Sequence, residues 1–294
     1  MKPFSPVIKW FGSKRLVAEE LSKHFRSCQT YFEPFVGGGS MLPFAKAPIG
    51  FASDIIPELI SLWNMIKENP EFVANEYELR WNKLQRDGAE IYYKIREEFN
   101  KTKNCLDFLF LTRTCVNGMI RYNSEGEFNN SFHLSRPGIN PQTLRRILLK
   151  WSMAIKKFTF LNVDYRECLS NVQKGDFIFL DPPYGGTKDR YTQQEFNLTD
   201  FYNELDRLNS IGAFWMLTFD GSAGERHYSF APPSEVYQYK FSVHTGISAF
   251  SKVIDKKMDF ISESVYLNFE PANQSLGLFD FFNHESCSLV GHQM

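Results

Sequence analysis

Cysteine is scarce in this 294-residue chain. The five present (Cys28, Cys105, Cys115, Cys168 and Cys287) are scattered, odd in number and never spaced as C-x-x-C. That leaves no disulfide framework, argues against a zinc site, and suits free thiols in a reducing, cytoplasmic compartment. No run of about 18 apolar residues occurs, so no membrane span is expected. The opening Met1-Lys2-Pro3-Phe4-Ser5-Pro6 lacks the apolar stretch of a secretion signal. A strong charge of either sign is missing too: the net charge is −1, so no global basic field gathers nucleic acid. Internal repeats and low-complexity tracts are absent. What remains is a soluble globular composition, 43% hydrophobic and 23% charged, long enough for one large core or two modest domains.

The charge is unevenly spread. Residues 101–150 carry eight Lys/Arg against three Asp/Glu, with asparagines and aromatics among them, a local patch able to meet phosphates or a solvated basic face. Strand-like runs fall in two blocks. Residues 31–35 and 50–54 form the first; 158–164, 175–180, 214–219, 236–241 and 264–269 form the second. Segments 14–25, 40–46 and 199–210 read as helices between them, an alternation that predicts a mostly parallel α/β sheet. Between the blocks, residues 57–152 carry helical spacing (Leu59, Leu62, Trp63, Ile66; Ile91, Ile95) and read as a helical insertion. The organisation expected is a catalytic domain of residues 1–56 plus 153–270, a helical domain of 57–152 and a tail of 271–294.

Two motifs carry chemistry. Asp181-Pro182-Pro183-Tyr184 follows the buried run ending at Leu180. A carboxylate, two rigid prolines and an aromatic at a strand end suit gripping a planar ring by its amino group; the plainer reading is a strand-to-loop corner. Upstream, Glu33-Pro34-Phe35-Val36-Gly37-Gly38-Gly39-Ser40 follows the first strand and opens a helix. Its glycines permit a sharp turn and close approach to a ligand. It is not the dinucleotide fingerprint, because Leu42 stands where G-x-G-x-x-G needs its third glycine. Glu33 suits a ligand with a positive centre better than a phosphate chain. Asp54 ends the next strand, where a carboxylate can accept hydrogen bonds from ribose hydroxyls.

Four blocks in order, Lys9-Trp10-Phe11-Gly12-Ser13-Lys14, Glu33 to Ser40, Arg113 to Phe132, and Asp181 to Tyr184, resemble the Dam-like (D12 class) adenine-N6-specific DNA methyltransferases. The stretch Gly246 to Phe269 resembles the family's last strands more loosely. The resemblance implies a Rossmann-like S-adenosylmethionine-dependent methyltransferase fold with a helical insertion domain, acting on double-stranded DNA. It implies that Glu33, Phe35, Gly37 and Gly39 line the cofactor, that Asp54 binds its ribose, and that Trp10 and Lys14 close the methionine end. Asp164 and Tyr165 are implied on the same side, beside the flipped ring. Asp181, Pro182, Pro183 and Tyr184 are implied as the catalytic clamp. Asp181 and the Pro182 carbonyl accept the amino hydrogens and Tyr184 stacks on the ring.

DNA contacts are implied for Lys9, Arg113, Asn117, Arg121, Asn123 and Asn129. Arg121 is the candidate base reader, and the asparagines brace the loop. After Phe128-Asn129 the GATC-methylating members usually continue Val-Pro-Phe-Gly, whereas this chain has Asn130-Ser131-Phe132-His133, which leaves the recognition sequence open. The clamp chemistry would also serve RNA, protein or cytosine-N4 methyl transfer. A DNA-binding relic of the fold is the non-enzymatic alternative, against which the intact Asp181 and glycine turn count. Gln274-Ser275-Leu276-Gly277-Leu278-Phe279 is similar to peptides that bind the bacterial sliding clamp, or packs back on its own domain.

Overall fold

The computed structural model describes residues 4–135, 138–183, 196–223, 226–228, 231–247 and 260–271. Eight strands form among them: β1 (Thr30–Glu33), β2 (Ile49–Ser53), β3 (Phe158–Leu161), β4 (Phe177–Leu180), β5 (Phe214–Ala223), β6 (Arg226–Tyr228), β7 (Tyr239–Ile247) and β8 (Phe260–Leu267). They make one sheet of order β3-β2-β1-β4-β5-β8-β7, with β6 paired to β5. The first five run parallel. β8 is antiparallel to both β5 and β7. Every residue of β4 is buried, as a central parallel strand covered on both faces requires. Phe177 and Phe179 enter one core and Ile178 and Leu180 the other.

Eight α-helices are described: α1 (Ala18–Ser22), α2 (Pro57–Glu68), α3 (Pro70–Asp87), α4 (Ala89–Thr102), α5 (Cys105–Thr114), α6 (Pro141–Ala154), α7 (Tyr165–Cys168) and α8 (Leu198–Ile211). α8 starts where the Asn197 side chain accepts the Asp200 N–H and stops at left-handed Gly212. Its stripe of Phe201, Leu205 and Leu208 packs with Ile178 and Leu180. α6 is capped by Asn140, begins with Pro141, and turns Leu144, Leu148 and Trp151 inward. Each such side chain contributes about 1.5–3 kcal/mol by burial, more than propensity gives a helix of this length. None of the described helices is long and apolar enough to cross a membrane.

α2 to α6 lie between β2 and β3, in the expected insertion. They share a core with the sheet: Trp63 of α2 stacks on Phe160 of β3 at 5.8 Å and meets Trp151 of α6 at 5.2 Å. α5 is buried along its whole length. Several expectations change. Arg113, implied as a DNA contact, and Thr114 form the last turn of this core helix. The glycine turn does not open a helix over 40–46. Only a 3₁₀ turn, Leu42–Phe44, forms there, because Pro43 has no amide hydrogen to donate. The helix expected over 14–25 divides into a 3₁₀ turn, Lys14–Leu16, and α1, with Val17 at a non-helical φ of −110° between them. The last two strands also run earlier or later than the apolar pattern indicated, and β6 was not foreseen.

Candidate active site

Chain connections diverge between β1 and β4: β1 leads outward through β2 and β3, β4 through β5. Strand carboxyl ends at such a reversal form a crevice. A cavity of about 280 Å³ opens there, lined by Glu33, the glycine turn, Asp54, Asp164 and Asp181 together with Trp10 and Lys14. The two motifs, about 150 positions apart in the chain, therefore meet at one site.

The glycine turn is held between two indoles. Gly37 has φ +43°, and a Cβ there would stand 2.8 Å from Cδ1 of Trp10. From the other side Trp63 Nε1 donates to the Gly37 carbonyl at 3.0 Å. Gly39, φ +65°, packs on the Trp63 ring. Asp54 ties the turn to β2: its Oδ2 accepts the Gly37 N–H at 3.1 Å and its Oδ1 the Ile56 N–H at 3.2 Å. Phe35 packs with Tyr165, Phe196 and Phe201 into an aromatic wall. Burial pushes the Tyr165 hydroxyl up to about 12. Asp164 caps α7 by accepting the Arg166 N–H, and it also pairs with the Arg166 guanidinium at 2.7 Å.

Around Asp181 the polar contacts converge. Lys14 Nζ pairs with Asp181 Oδ1 at 2.7 Å, and Thr218 Oγ1 donates to the same oxygen at 2.9 Å. Lys14, only 4% exposed, also pairs with Glu263 of β8 at 3.2 Å. Burial raises the Asp181 carboxyl from its ordinary value. Lys14 and the Thr218 hydrogen bond draw it down, while Glu263 adds to the rise. Glu33 is buried and accepts a 2.8 Å hydrogen bond from the Tyr31 hydroxyl. Its carboxyl is pushed up to about 8 by burial, against the hydrogen bond from Tyr31. Pro182 is buried and Pro183 half-buried at the cavity edge, whereas Tyr184 lies outside the described residues.

Away from the cavity, residues 115–135 form a loop closed by the bridges Cys115–Phe132 and Tyr122–Phe128. Arg121 is exposed, its Nε donating to Asn129 Oδ1 at 2.7 Å. Asn123 accepts the N–H groups of Glu125 and Glu127 and so braces the tip. Asn117 is exposed at φ +57°. Lys9 is exposed and its stem lies on Gly118, where a Cβ would stand 2.7 Å from Lys9 Cβ. Arg113 does not join this surface. It is buried, donates to the Pro6 carbonyl, and burial lowers its guanidinium to about 10. The Gln274–Phe279 stretch lies outside the described residues.

Sequence reasoning missed Thr218, Glu263, Trp63 and Tyr31. It also placed no role on Asn130, which is buried and donates to the carbonyls of Val116 and Met119. One signal was available: Thr218 is the polar residue that breaks the apolar run Phe214–Leu217, beside the β4 end in register.

A sheet of this order with a glycine-turn crevice beside an Asp-Pro-Pro corner defines a Rossmann-like methyltransferase fold. The family model of D12 class N6 adenine-specific DNA methyltransferases matches residues 10–214, and the chain belongs to that family. It is 31% identical over 205 residues to the Retron Ec67 DNA adenine methylase of Escherichia coli, covering 68% of this chain and 70% of that one. The DNA adenine methylase of Vibrio cholerae serotype O1 is 32% identical over 189 residues, covering 63% and 66%. The type II methyltransferase M.MjaIII of Methanocaldococcus jannaschii is 32% identical over 236 residues, covering 69% and 80%.

Proposed function

We propose that this chain transfers a methyl group from S-adenosylmethionine to the amino nitrogen of an adenine extruded from double-stranded DNA. The observation that carries the reading is the meeting, in one cavity, of the Asp181-Pro182-Pro183 corner with the glycine turn and Asp54.

The residues present fit that donor. Four acidic side chains (Asp54, Asp164, Asp181 and Asp200) line the cavity against two cations, Lys14 and Arg166, a lining suited to a cationic sulfur; Glu33 beside them, raised to about 8, is largely protonated near neutral pH. Gly37 and Gly38 have no Cβ where Trp10 crosses them, so the indole packs directly against the turn and forms one side of the donor slot. When bound, S-adenosylmethionine supplies an electrophilic methyl group. Asp54 binds ribose hydroxyls while it anchors the turn, and Phe35 and Tyr165 wall the adenosine end. Trp10 closes the slot.

The adenine amino nitrogen is a weak nucleophile because its lone pair is delocalised into the ring. Asp181, with Oδ1 fixed by Lys14 and Thr218, accepts one amino hydrogen through its other oxygen. The Pro182 carbonyl accepts the second, and the lone pair localises toward the methyl group. Tyr184 stacks on the ring, a contact worth roughly 1–3 kcal/mol. Rate gain comes from positioning and electrostatics, without a covalent intermediate. A base inside a duplex cannot reach this cavity, so it flips out at a cost of a few kcal/mol. The helical insertion presents the 115–135 loop to the duplex. Arg121 reads a base edge, Lys9 meets the same DNA face, and Asn117, Asn123 and Asn129 shape the loop. Arg113 holds the N-terminal segment from inside.

The test is transfer of a labelled methyl group from the donor to DNA, RNA or protein. Label in duplex DNA, lost in Asp181→Ala with the fold intact, is the expected result. Label only in RNA or protein, or full turnover by Asp181→Ala, overturns the reading.

A further inference from the structure

Lys14 is a buried ammonium shared between two carboxylates. Its Nζ lies 2.7 Å from Asp181 Oδ1, and 3.2 and 3.4 Å from the two oxygens of Glu263. Lys14 and the Glu263 side chain are 4% and 9% exposed. The three groups come from separate parts of the chain: the N-terminal 3₁₀ turn, the end of β4, and β8. Glu263 has no seat in the cavity lining, so it acts on the site only from behind.

We propose that Glu263 is a positioning residue for methyl transfer: by sharing Lys14 with Asp181 it sets how completely that lysine neutralises the carboxylate that grips the substrate amine. The proposal rests on the reading of Asp181 as acceptor. One ammonium at short range from a single carboxylate would withdraw electron density from it and weaken it as a hydrogen-bond acceptor. A second carboxylate on the same ammonium divides that pull. Among the described residues, the charged or polar groups acting on Asp181 are Lys14 from the 3₁₀ turn, Thr218 from β5 and Glu263 from β8, while Asp181 in turn raises Glu33 of β1. Glu263 is the one that works against Lys14 without touching the cavity. Its negative charge favours the protonated form of Asp181, so its removal lowers the pH at which Asp181 titrates.

The experiment compares wild type, Glu263→Gln and Glu263→Asp, each checked for a native melting transition. Two quantities are read: the titration of the Asp181 carboxyl carbon by NMR in the donor-free protein, and the single-turnover rate against pH at saturating donor and DNA. Glu263→Gln is expected to move both the carboxyl titration and the acid limb of the rate profile down by roughly half to one pH unit, a three- to tenfold change in the protonation equilibrium. The plateau rate falls roughly tenfold and donor affinity stays within about twofold, with partial recovery in Glu263→Asp. If Glu263→Gln is unstable, Lys14→Gln serves instead. It should raise the carboxyl titration, and adding Glu263→Asp to it should produce no further change in rate beyond about twofold. A slower Glu263→Gln enzyme with unmoved titration and limb would mean a merely structural role and overturn the proposal. So would an unchanged enzyme. Either outcome with Asp181→Ala inactive leaves the acceptor reading standing, whereas an active Asp181→Ala removes the acceptor itself.

Discussion

Replacing Gly37 by alanine separates two costs at the cofactor turn. The first is conformational: at φ +43° an L-residue with a Cβ is strained by roughly 1–2 kcal/mol. The second is steric. The new Cβ would stand 2.8 and 2.9 Å from Cδ1 and Cε2 of Trp10, while ordinary contact begins at 3.4 Å. The indole must therefore retreat, and overpacking of that kind costs about 1–3 kcal/mol. Gly12→Ala is the control. It has φ +75° with nothing within 4 Å of its Cβ, so it carries the strain without the clash. Gly37→Ala should lose about 2–5 kcal/mol of stability by denaturant titration, and Gly12→Ala about half that or less. Because Trp10 and Gly37 both line the cavity, the shifted indole should weaken donor binding at least tenfold by fluorescence titration. Trp10→Ala should remove most of the steric share, making the double variant less destabilised than the sum of the singles. Equal stability losses in Gly37→Ala and Gly12→Ala, with donor affinity unchanged in both, would refute the slot.

Thr218→Val removes the hydroxyl that donates to Asp181 Oδ1. That hydrogen bond favours the ionised carboxylate, so the variant should titrate Asp181 at higher pH and shift the acid limb of the rate profile upward, at a stability cost of about 1–2 kcal/mol. Glu33 carries a carboxyl raised to about 8 by burial. A raised acid stabilises the fold fully below its unfolded pKa, near 4.3, and loses that contribution as pH rises toward 8. Melting curves should therefore show wild type losing stability relative to Glu33→Gln between pH 5 and 8; parallel curves would contradict the burial. Arg121→Ala, at an exposed position, should leave the melting transition within about 0.5 kcal/mol of wild type and relax the choice of DNA site. Arg113→Ala should do the reverse, destabilising by about 2 kcal/mol or more without a selective change in site preference, since its guanidinium is buried against the Pro6 carbonyl.

The outer limits of the site were readable because its chemistry sits in contiguous turns at strand ends. Glu33 to Ser40 and Asp181 to Pro183 each carry backbone and side-chain chemistry in a few successive residues, and a buried apolar strand precedes each. Alternating strands and helices set the α/β class, and helical spacing marked the segment between β2 and β3, where α2 to α6 lie. Local rules failed where one residue changed the backbone's options, as Pro43 did after the glycine turn. They failed again at Arg113, implied as a DNA contact, because α5 is buried by α2, α3 and α4.

What the sequence alone determined is the family, the fold class and the positions of the two motifs, because those depend on short-range pattern and backbone chemistry. Which carboxylate faces which cation was decided only by the tertiary structure. Lys14 and Glu263 are separated by 249 positions, and Thr218 reaches Asp181 across 37. No spacing rule spans such distances. Only the pairing of β5 with β4 and of β8 with β5 brings these groups within hydrogen-bonding range, where burial gives each charge its effect on the others.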